Sequence, residues 1–248
     1  MIDVFRFYFI LMDEIKSKLN TSQSIAVLTG AGISAESGIP TFRGQGGLWR
    51  NFRPEQLATL EAFEANPQLV WEWYNWRREL LAPISPNPAH YALVEIERRT
   101  SQFTLITQNV DGLHGKAGSR NVIEIHGNIW KVKCTQCGSI TDNFDVPMQI
   151  LPACQICDGL LRPNVVWFGE MLPQEELYTS QRAAAECEFM LIIGTSGIVQ
   201  PAASFGLIAK QSGAYVVEIN IEQTPLSDVV DRTCIGKASE ILTRIISQ

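Results

Sequence analysis

A chain of 248 residues, of which 46% are hydrophobic, is long enough to bury a sizeable core in one domain with an inserted lobe or in two small domains. Its 26 acidic side chains outnumber the 20 basic ones, which argues against nucleic acid as the main ligand, because phosphate binding requires a positive surface. The apolar run at residues 7–12 is too short to span a membrane and lacks the flanks of a signal peptide. We therefore expect a cytoplasmic monomer that binds neither membranes nor nucleic acid.

Predicted strands and helices alternate along most of the chain. Short apolar runs predict strands at residues 24–29, 103–107, 189–193 and 215–219, and periodic stretches predict helices at residues 5–19, 175–186 and 201–212. Alternation of this kind predicts an α/β fold with a doubly wound parallel sheet and a ligand crevice at the carboxyl ends of the strands.

The first predicted strand runs into a glycine-rich turn. Gly30, Gly32 and Ala35 have the spacing of a turn at which the backbone approaches a pyrophosphate at the start of a helix. The same spacing also occurs in plain strand-to-helix turns, and the acidic residue that dehydrogenases place about 20 positions later is absent. The glycines at positions 44, 46 and 47 supply the freedom that a mobile loop needs.

Polar side chains collect where the second predicted strand ends. Gln108, Asn109, Asp111 and His114 follow that strand, which is the usual position of a site in a parallel sheet, although we interpret His114 as structural. His126 follows another short apolar run and can project into the same crevice. A lone histidine is more often a packed residue than a catalyst, but its ordinary pKa of about 6.5 suits proton transfer at neutral pH.

Two Cys-x-x-Cys pairs are separated by 16 residues, a spacing typical of four-cysteine zinc sites. Four thiolates complete a tetrahedron and leave no position for water, so the pattern predicts one structural Zn²⁺ bound by Cys134, Cys137, Cys154 and Cys157. Four unligated thiols and a nucleic-acid-binding zinc ribbon are the alternatives, and the acidic composition disfavours the second. The remaining two cysteines lack a partner at metal spacing and are expected in the core.

Several segments resemble the sirtuin family. The match is nearly letter for letter in GAGISAESGIPTFRGQGGLW, and it extends through TQNVDGLHGKAG, VIEIHGNIW, GTSGIVQPAA and EINIE, from about residue 24 to residue 246. The resemblance implies NAD as co-substrate, with His126 as general base and Asn109 positioning the reacting groups. The NAD contacts that it implies are Gly30, Ala31, Gly32, Phe42, Arg43, Gln108, Asn109, Asp111, Gly194, Thr195, Ser196, Asn220, Glu222, Lys237 and Ala238.

The strand pattern and this resemblance together predict how the chain is divided into domains. Residues 1–43, 87–130 and 162–248 are assigned to a Rossmann-like NAD-binding domain. Residues 44–86, which carry no strand signal, form the cofactor loop and a helical insertion, and residues 131–161 form a zinc-ribbon module. We expect the last two segments to make a smaller lobe inserted into the sheet domain.

Two further segments concern the substrate. RPNVVWFGEMLP resembles the sirtuin segment that pairs with a substrate peptide as an added strand, which implies an acyl-lysine channel lined by Val166, Trp167, Phe168, Gly169 and Glu170. In VWEWYNWRREL, Tyr74 and Arg77 are three residues apart and face one side of a helix. The pair resembles the one that binds the distal carboxylate in class III, desuccinylase- and demalonylase-type bacterial sirtuins, with Ala58 at the matching small position. A packed aromatic stripe with an exposed arginine is the alternative.

The resemblance implies that the chain removes acyl groups from lysine side chains of proteins or peptides. Succinyl, malonyl and acetyl groups are the expected substrates, and nicotinamide, free lysine and O-acyl-ADP-ribose are the expected products. Two other functions stay open: protein ADP-ribosyl transfer from the same NAD site, and a non-catalytic module that binds acyl-lysine or uses the zinc ribbon for binding.

Overall fold

The computed structural model describes residues 4–41 and 56–247. Its strands are β1 (Ser24–Thr29), β2 (Gln102–Thr107), β3 (Val122–Glu124), β4 (Gly127–Cys134), β5 (Ile140–Asp142), β6 (Leu161–Val165), β7 (Phe189–Ile193), β8 (Tyr215–Asn220) and β9 (Arg232–Ile235). They divide into a six-stranded sheet and a three-stranded sheet.

The larger sheet is parallel throughout and has the spatial order β3-β2-β1-β7-β8-β9. β1 pairs with β2 on one side and with β7 on the other, so that Val27 lies between Leu105 and Leu191. The chain thus winds outward in one direction through β3 and in the other through β9, as in doubly wound nucleotide-binding folds. This confirms the predicted fold class and puts the crevice at the carboxyl ends of β1 and β7.

The helices are α1 (Val4–Thr21), α2 (Ala31–Ala35), α3 (Leu60–Ala65), α4 (Pro67–Leu81), α5 (Pro88–Arg99), α6 (Leu113–Ala117), α7 (Gln174–Glu186), α8 (Ser204–Gln211) and α9 (Ala238–Ile246). Local sequence explains where two of them begin. Asn66 and Asn87 each precede a proline, and their side chains accept from Leu69 N and Ala89 N at the starts of α4 and α5. Within the described ranges, no helix has both the length and the apolar character needed to cross a bilayer.

Helices cover both faces of the large sheet because successive side chains of a buried strand point in opposite directions. On β1, Val27 packs with Leu93 of α5 and Leu242 of α9 on one face. Leu28 packs with Phe205 of α8 on the other face. Both faces are therefore closed, and only the ends of the strands are open to a ligand.

The three-stranded sheet has the order β5-β4-β6 and is antiparallel. It packs against α3 and α4 through a shared core, in which Trp71 also donates from Nε1 to Leu161 O at 3.0 Å. The zinc-ribbon module was expected at residues 131–161, but the small sheet runs from Gly127 to Val165. The sheet includes these outer residues because β4 and β6 pair near Cys134 and again at Gly127 and Val165, with a shift of register between the two stretches.

Candidate active site

The crevice begins where the loops after β1 and β7 meet. Gly30 N donates to Ile193 O at 2.9 Å, and Gly32 N donates to Gly194 O at 2.8 Å. A Cβ atom on Gly32 would lie 2.6 Å from Gly194 Cα, and one on Gly194 would lie 2.5 Å from Ile33 N. Both positions therefore require glycine, and the spacing that suggests approach to a pyrophosphate also serves to bring two backbone loops together.

Two side chains at the end of β2 connect these loops. Asn109 Nδ2 donates to Gly30 O at 3.0 Å and to Ser34 Oγ at 3.3 Å. Gln108 Nε2 donates to Thr195 Oγ1 at 2.9 Å, on the loop after β7. The Asn109 amide is consequently oriented by the loop after β1, and the Gln108 amide is bonded to the loop after β7.

Asp111 is a buried carboxyl group at the same strand mouth. Its two oxygens accept from Ser34 Oγ at 2.7 Å and from Leu113 N at 2.8 Å, while its backbone oxygen accepts from Trp130 Nε1 at 2.8 Å. Burial raises the pKa of this carboxyl group, and the two hydrogen bonds and the charge of Arg77 act in the opposite direction. Asp111 is thus held in one orientation beside Asn109.

His126 has one ring nitrogen directed to the backbone. Its Nδ1 lies 3.1 Å from Gln108 O, and a carbonyl oxygen can only accept, so Nδ1 carries the proton in the neutral ring. The lone pair is then on Nε2. Burial lowers the pKa of His126 below its ordinary value, which keeps the ring neutral at neutral pH. The imidazole has the tautomer and charge state of a general base.

The remaining candidate NAD residues follow β7 and β8. Asn220 Nδ2 donates to Thr195 O at 2.9 Å and so joins the two loops. Three of the other residues that the resemblance implies as NAD contacts are exposed: Ser196, Glu222 and Lys237. Ala238, at the start of α9, is buried. The predicted contacts Phe42 and Arg43 lie outside the described residues. Within that range, the buried amides and hydroxyls at the strand ends and the glycine-only loop contact fit a dinucleotide.

Tyr74 and Arg77 lie together on α4, and both are buried, with 1% and 4% of their surfaces exposed. The Tyr74 hydroxyl accepts from Trp167 Nε1 at 2.9 Å. The guanidinium carbon of Arg77 lies 4.8 Å from the centre of the Trp73 ring and 5.5 Å from that of Tyr74. The arginine is therefore buried rather than exposed, although it also belongs to an aromatic cluster.

The electrostatics of this pair connect it to the crevice. Burial raises the pKa of Tyr74 and lowers that of Arg77, and the nearby Tyr74 and Asp111 raise the pKa of Arg77 again. Because an arginine titrates far above neutral pH, Arg77 remains a cation. Arg77 and Asp111 interact electrostatically, so the cation lies near the buried carboxyl group at the end of β2.

The predicted substrate segment runs past this pair with one exposed stretch. Phe168 N donates to Ala58 O at 2.9 Å, and Phe168 forms a parallel bridge with Thr59. Phe168 and Gly169 are exposed, and Val166, which is partly buried, donates from its backbone N to His126 O at 2.9 Å. This stretch leads from the surface to His126.

Two residues of the same segment differ from the expected lining role. Trp167 is 1% exposed, and Arg162 stacks on its ring at 3.4 Å from the centre. Glu170 accepts from Arg162 Nη1 and Nη2 at 2.5 and 2.9 Å and from Trp167 N at 2.8 Å. Trp167 therefore positions Tyr74 through a hydrogen bond to its hydroxyl, and Glu170 fixes the backbone of the segment through its bond to Trp167 N.

The four predicted zinc ligands converge. Their sulfur atoms lie within 4.8 Å of one another, with 3.5 Å between Cys134 and Cys157 and 3.8 Å between Cys137 and Cys154. Zn–S bonds of about 2.3 Å in a tetrahedron require S–S distances of about 3.8 Å. The backbone N–H of Ile156 donates to Cys154 Sγ at 3.4 Å, and this bond, together with others from Ser139 and Cys157, lowers the pKa of that thiol to about 6. The site fits a Zn²⁺ ion bound by four thiolates.

Some contributors to the site were not predicted from the sequence. Ser34, Trp130 and Arg162 each fix a predicted residue through a hydrogen bond. The position of Ser34 directly after the glycine-rich turn is a signal that could have identified it. The other two come from distant segments, and only the fold brings them to their partners.

Comparison with known proteins agrees with this geometry. The Sir2 family model matches residues 30–201. A protein of Aquifex aeolicus named NAD-dependent protein deacylase is 52% identical over 223 residues, which are 90% of this chain and 93% of that protein.

Solved structures are similar over the whole fold. A Sir2 homologue in complex with NAD is 47% identical, with a TM-score of 0.89 over 94% of this chain and 91% of that one. A Sir2 variant solved with a deacetylated p53 peptide and 3′-O-acetyl-ADP-ribose is 34% identical, with a TM-score of 0.83 over 95% of this chain and 97% of that one. The chain belongs to the Sir2 family.

Proposed function

We propose that this chain is an NAD-dependent protein-lysine deacylase that prefers the acidic succinyl and malonyl groups to acetyl. Nicotinamide, free lysine and O-acyl-ADP-ribose are the products. Family membership and the name of the Aquifex relative support the reaction class. The acyl preference rests on one observation, the buried Tyr74–Arg77 pair, in which the guanidinium carbon lies 5.5 Å from the centre of the tyrosine ring.

NAD supplies the ADP-ribosyl group that accepts the acyl group, with nicotinamide as its leaving group. Nε2 of His126 accepts the proton of a ribose hydroxyl. Its lone pair is available because the ring proton is on Nδ1, which donates to Gln108 O. Asn109, oriented by Gly30 and Ser34, positions the reacting groups. The burial of these side chains limits direct hydrolysis of NAD. One water molecule is consumed when the acyl group is transferred, because the oxygen of that water is needed to give free lysine and O-acyl-ADP-ribose as separate products.

Arg77 binds the distal carboxylate of the acyl group. Its planar guanidinium can donate two parallel hydrogen bonds to a carboxylate, and the Tyr74 hydroxyl adds a third polar contact. Trp73 and Trp167 hold the pair in position. An acetyl group offers no charge to this cation, so the pocket disfavours it.

The substrate backbone lies along the exposed stretch at Phe168 and Gly169. An extended peptide adds there as a strand, using main-chain hydrogen bonds that do not depend on the peptide sequence. The acyl-lysine side chain then points inward between this stretch and Ala58, whose small side chain leaves room for it. The solved Sir2 complex with a p53 peptide supports a peptide substrate.

Arg77→Met should reverse the acyl preference. We expect kcat/KM for a succinyl-lysine peptide to fall about 100-fold, because the substrate carboxylate loses a buried partner, and kcat/KM for the acetyl peptide to change little. Tyr74→Phe, which removes one hydroxyl and keeps the ring, should give a smaller loss on the same peptide. Mass-spectrometric turnover of the two peptides measures both effects.

The matched control is Arg78→Met. Arg78 is the next residue on α4 and is also buried, but its guanidinium contacts Met148, the backbone oxygen of Asn143 and the Trp130 ring. Its loss should affect both peptides equally. Equal losses in Arg77→Met would instead reduce Arg77 to a structural residue. Nicotinamide release that needs no acyl peptide and labels protein side chains would indicate ADP-ribosyl transfer.

A further inference from the structure

Two buried histidines lie beneath the crevice and take no part in the proposed reaction. His90 on α5 is 0% exposed, His114 on α6 is 2% exposed, and their ring centres are 4.9 Å apart. Among the residues that the structure describes, His90 Nε2 and His114 Nδ1 meet no hydrogen-bond partner. Buried polar atoms rarely lack a partner, so the two nitrogen atoms call for an explanation.

The contact of His90 Nδ1 with a backbone N–H determines the tautomer of His90, and the direction of the hydrogen bond from Thr29 to Thr107 indicates the tautomer of His114. His90 Nδ1 lies 3.3 Å from Asn87 N, and a backbone N–H can only donate, so the proton of the neutral His90 ring is on Nε2. The Thr29 hydroxyl donates to Thr107 Oγ1 at 2.9 Å, and it therefore accepts from His114 Nε2, also at 2.9 Å. The proton of His114 is consequently on Nε2, and its Nδ1 is an acceptor.

The two atoms that lack a partner are thus complementary. His90 Nε2 is a donor and His114 Nδ1 is an acceptor. The ring centres are 4.9 Å apart, which is close enough for a ring rotation or one bridging water to join a donor on one ring to an acceptor on the other. We propose that His90 and His114 are positioning residues, linked in one directed chain of hydrogen bonds that ends at Thr29.

This series of hydrogen bonds begins and ends at segments that contain residues of the candidate active site. At its start, Asn87 Nδ2 donates to Ile33 O at 2.7 Å and so holds the residue that follows the glycine-rich turn. At its end, the Thr29 hydroxyl donates to Thr107 Oγ1, which also accepts from Asn109 N at 3.1 Å. The histidine pair is therefore connected, through the Thr29 and Thr107 hydroxyls, to the backbone N of Asn109 at the ends of the paired strands β1 and β2.

Both rings must be neutral for this chain to exist. Burial lowers the pKa of His90 to about 4 and that of His114 to about 3. A proton on His114 Nδ1 would place two donors against each other and break the link to His90. The low pKa values and the tautomers inferred from geometry agree.

Nitrogen-15 NMR of histidine-labelled protein tests the proposed series of hydrogen bonds without any assay of activity. The chain has only three histidines, so each ring can be assigned by comparing single variants. We expect at pH 7 the Nε2–H tautomer for His90 and His114 and the Nδ1–H tautomer for His126. An Nδ1–H tautomer or a charged ring at His114 would overturn the proposal, whatever reaction the protein catalyses.

Matched variants test the effect on the site, and this part rests on the proposed function. His114→Leu removes the donor to Thr29 and should lower kcat about tenfold, with the KM for the acyl peptide unchanged. His114→Gln keeps an N–H group near the position of Nε2 and should restore most of that loss. Ser180→Ala, which removes a buried hydroxyl on α7, serves as a control and should leave kcat unchanged. Equal kcat losses in the Leu and Gln variants would contradict the proposal.

A double-mutant cycle tests the link between the rings. His90→Asn keeps an acceptor for Asn87 N at the start of α5 and removes only the Nε2 donor. If the rings act as one chain, combining it with His114→Leu should lower kcat no further than the larger single loss. Additive losses would mean that the rings act separately, which would overturn the proposal.

Discussion

The chemistry of His126 depends on a single backbone contact. The carbonyl of Gln108 binds Nδ1 and leaves Nε2 as the basic atom, while burial keeps the ring neutral. Gln108 is itself held by Thr195, so the loop after β7 contributes to the tautomer of the base. The proposed base is therefore positioned by residues that follow β2 and β7, the two strands on either side of β1.

The pH profile of kcat/KM should show this effect. The neutral ring is the active form, and burial lowers its pKa, so activity should fall only as the pH drops below the ordinary histidine value of about 6.5. The measurement is kcat/KM for an acyl peptide between pH 5 and pH 8 with saturating NAD. If activity instead fell with a midpoint above the ordinary histidine pKa, the loss would belong to another group. The same conclusion would follow if the residual activity of His126→Ala still fell at low pH.

At this scale the sequence predicted residues that follow strands better than residues that depend on distant partners. Asn109 and His126 could be selected because each follows an apolar run, and both line the crevice. Trp167 was expected to line the channel, but it lies behind Tyr74 because its indole N–H bonds to that hydroxyl. Such a contact joins residues 93 positions apart, and no local pattern encodes it.

At the scale of elements, the contact between the loops after β1 and β7 sets the geometry of the crevice. Gly194 has a φ of 59° and touches the backbone of Gly32 and Ile33. The two loops can approach only because no side chain lies between them. NAD affinity should therefore be sensitive to a single methyl group at this position.

Gly194→Ala should raise the KM for NAD strongly, because the added Cβ would lie 2.5 Å from Ile33 N and force the loops apart. Gly213→Ala is the matched control, since Gly213 also has a positive φ, of 95°, but no atom lies within 4 Å of its Cβ position. The control should cost about 1 kcal/mol of stability and leave the KM for NAD unchanged. A similar KM for NAD in both variants would show that the contact between the two loops does not determine NAD affinity.

Buried strands were the elements most completely predicted from the sequence. β1 and β7 have the expected bounds, and β2 and β8 are each one residue longer than expected. β3 was not predicted because three partly buried residues carry too little periodicity. The helix expected at residues 201–212 begins later, at Ser204.

At the scale of the whole molecule, the zinc ligands and the acyl pocket belong to one lobe. β4 and β6 carry the cysteine pairs at one end and lead to His126 and Phe168 at the other. The core that contains Tyr74 and Trp71 of α4 also contains Val132 of β4. Metal binding in the ribbon is therefore expected to stabilise the pocket indirectly.

Removal of zinc should unfold this lobe before the large sheet. We expect one zinc per chain, and after chelation we expect faster amide exchange in residues 60–81 and 127–165, with protection retained in β1, β7 and β8. Hydrogen exchange with mass-spectrometric detection measures each segment. Unchanged exchange in the lobe after the metal has been removed would show that the four cysteines are not a structural zinc site.

The most direct measurement is the turnover of matched succinyl-lysine and acetyl-lysine peptides by the purified protein, with and without NAD. The expected result is NAD-dependent loss of both acyl groups, faster for succinyl, with nicotinamide and O-acyl-ADP-ribose formed in equal amounts. Faster loss of acetyl would contradict the role of Tyr74 and Arg77. No NAD-dependent loss of either group would contradict the deacylase reaction itself.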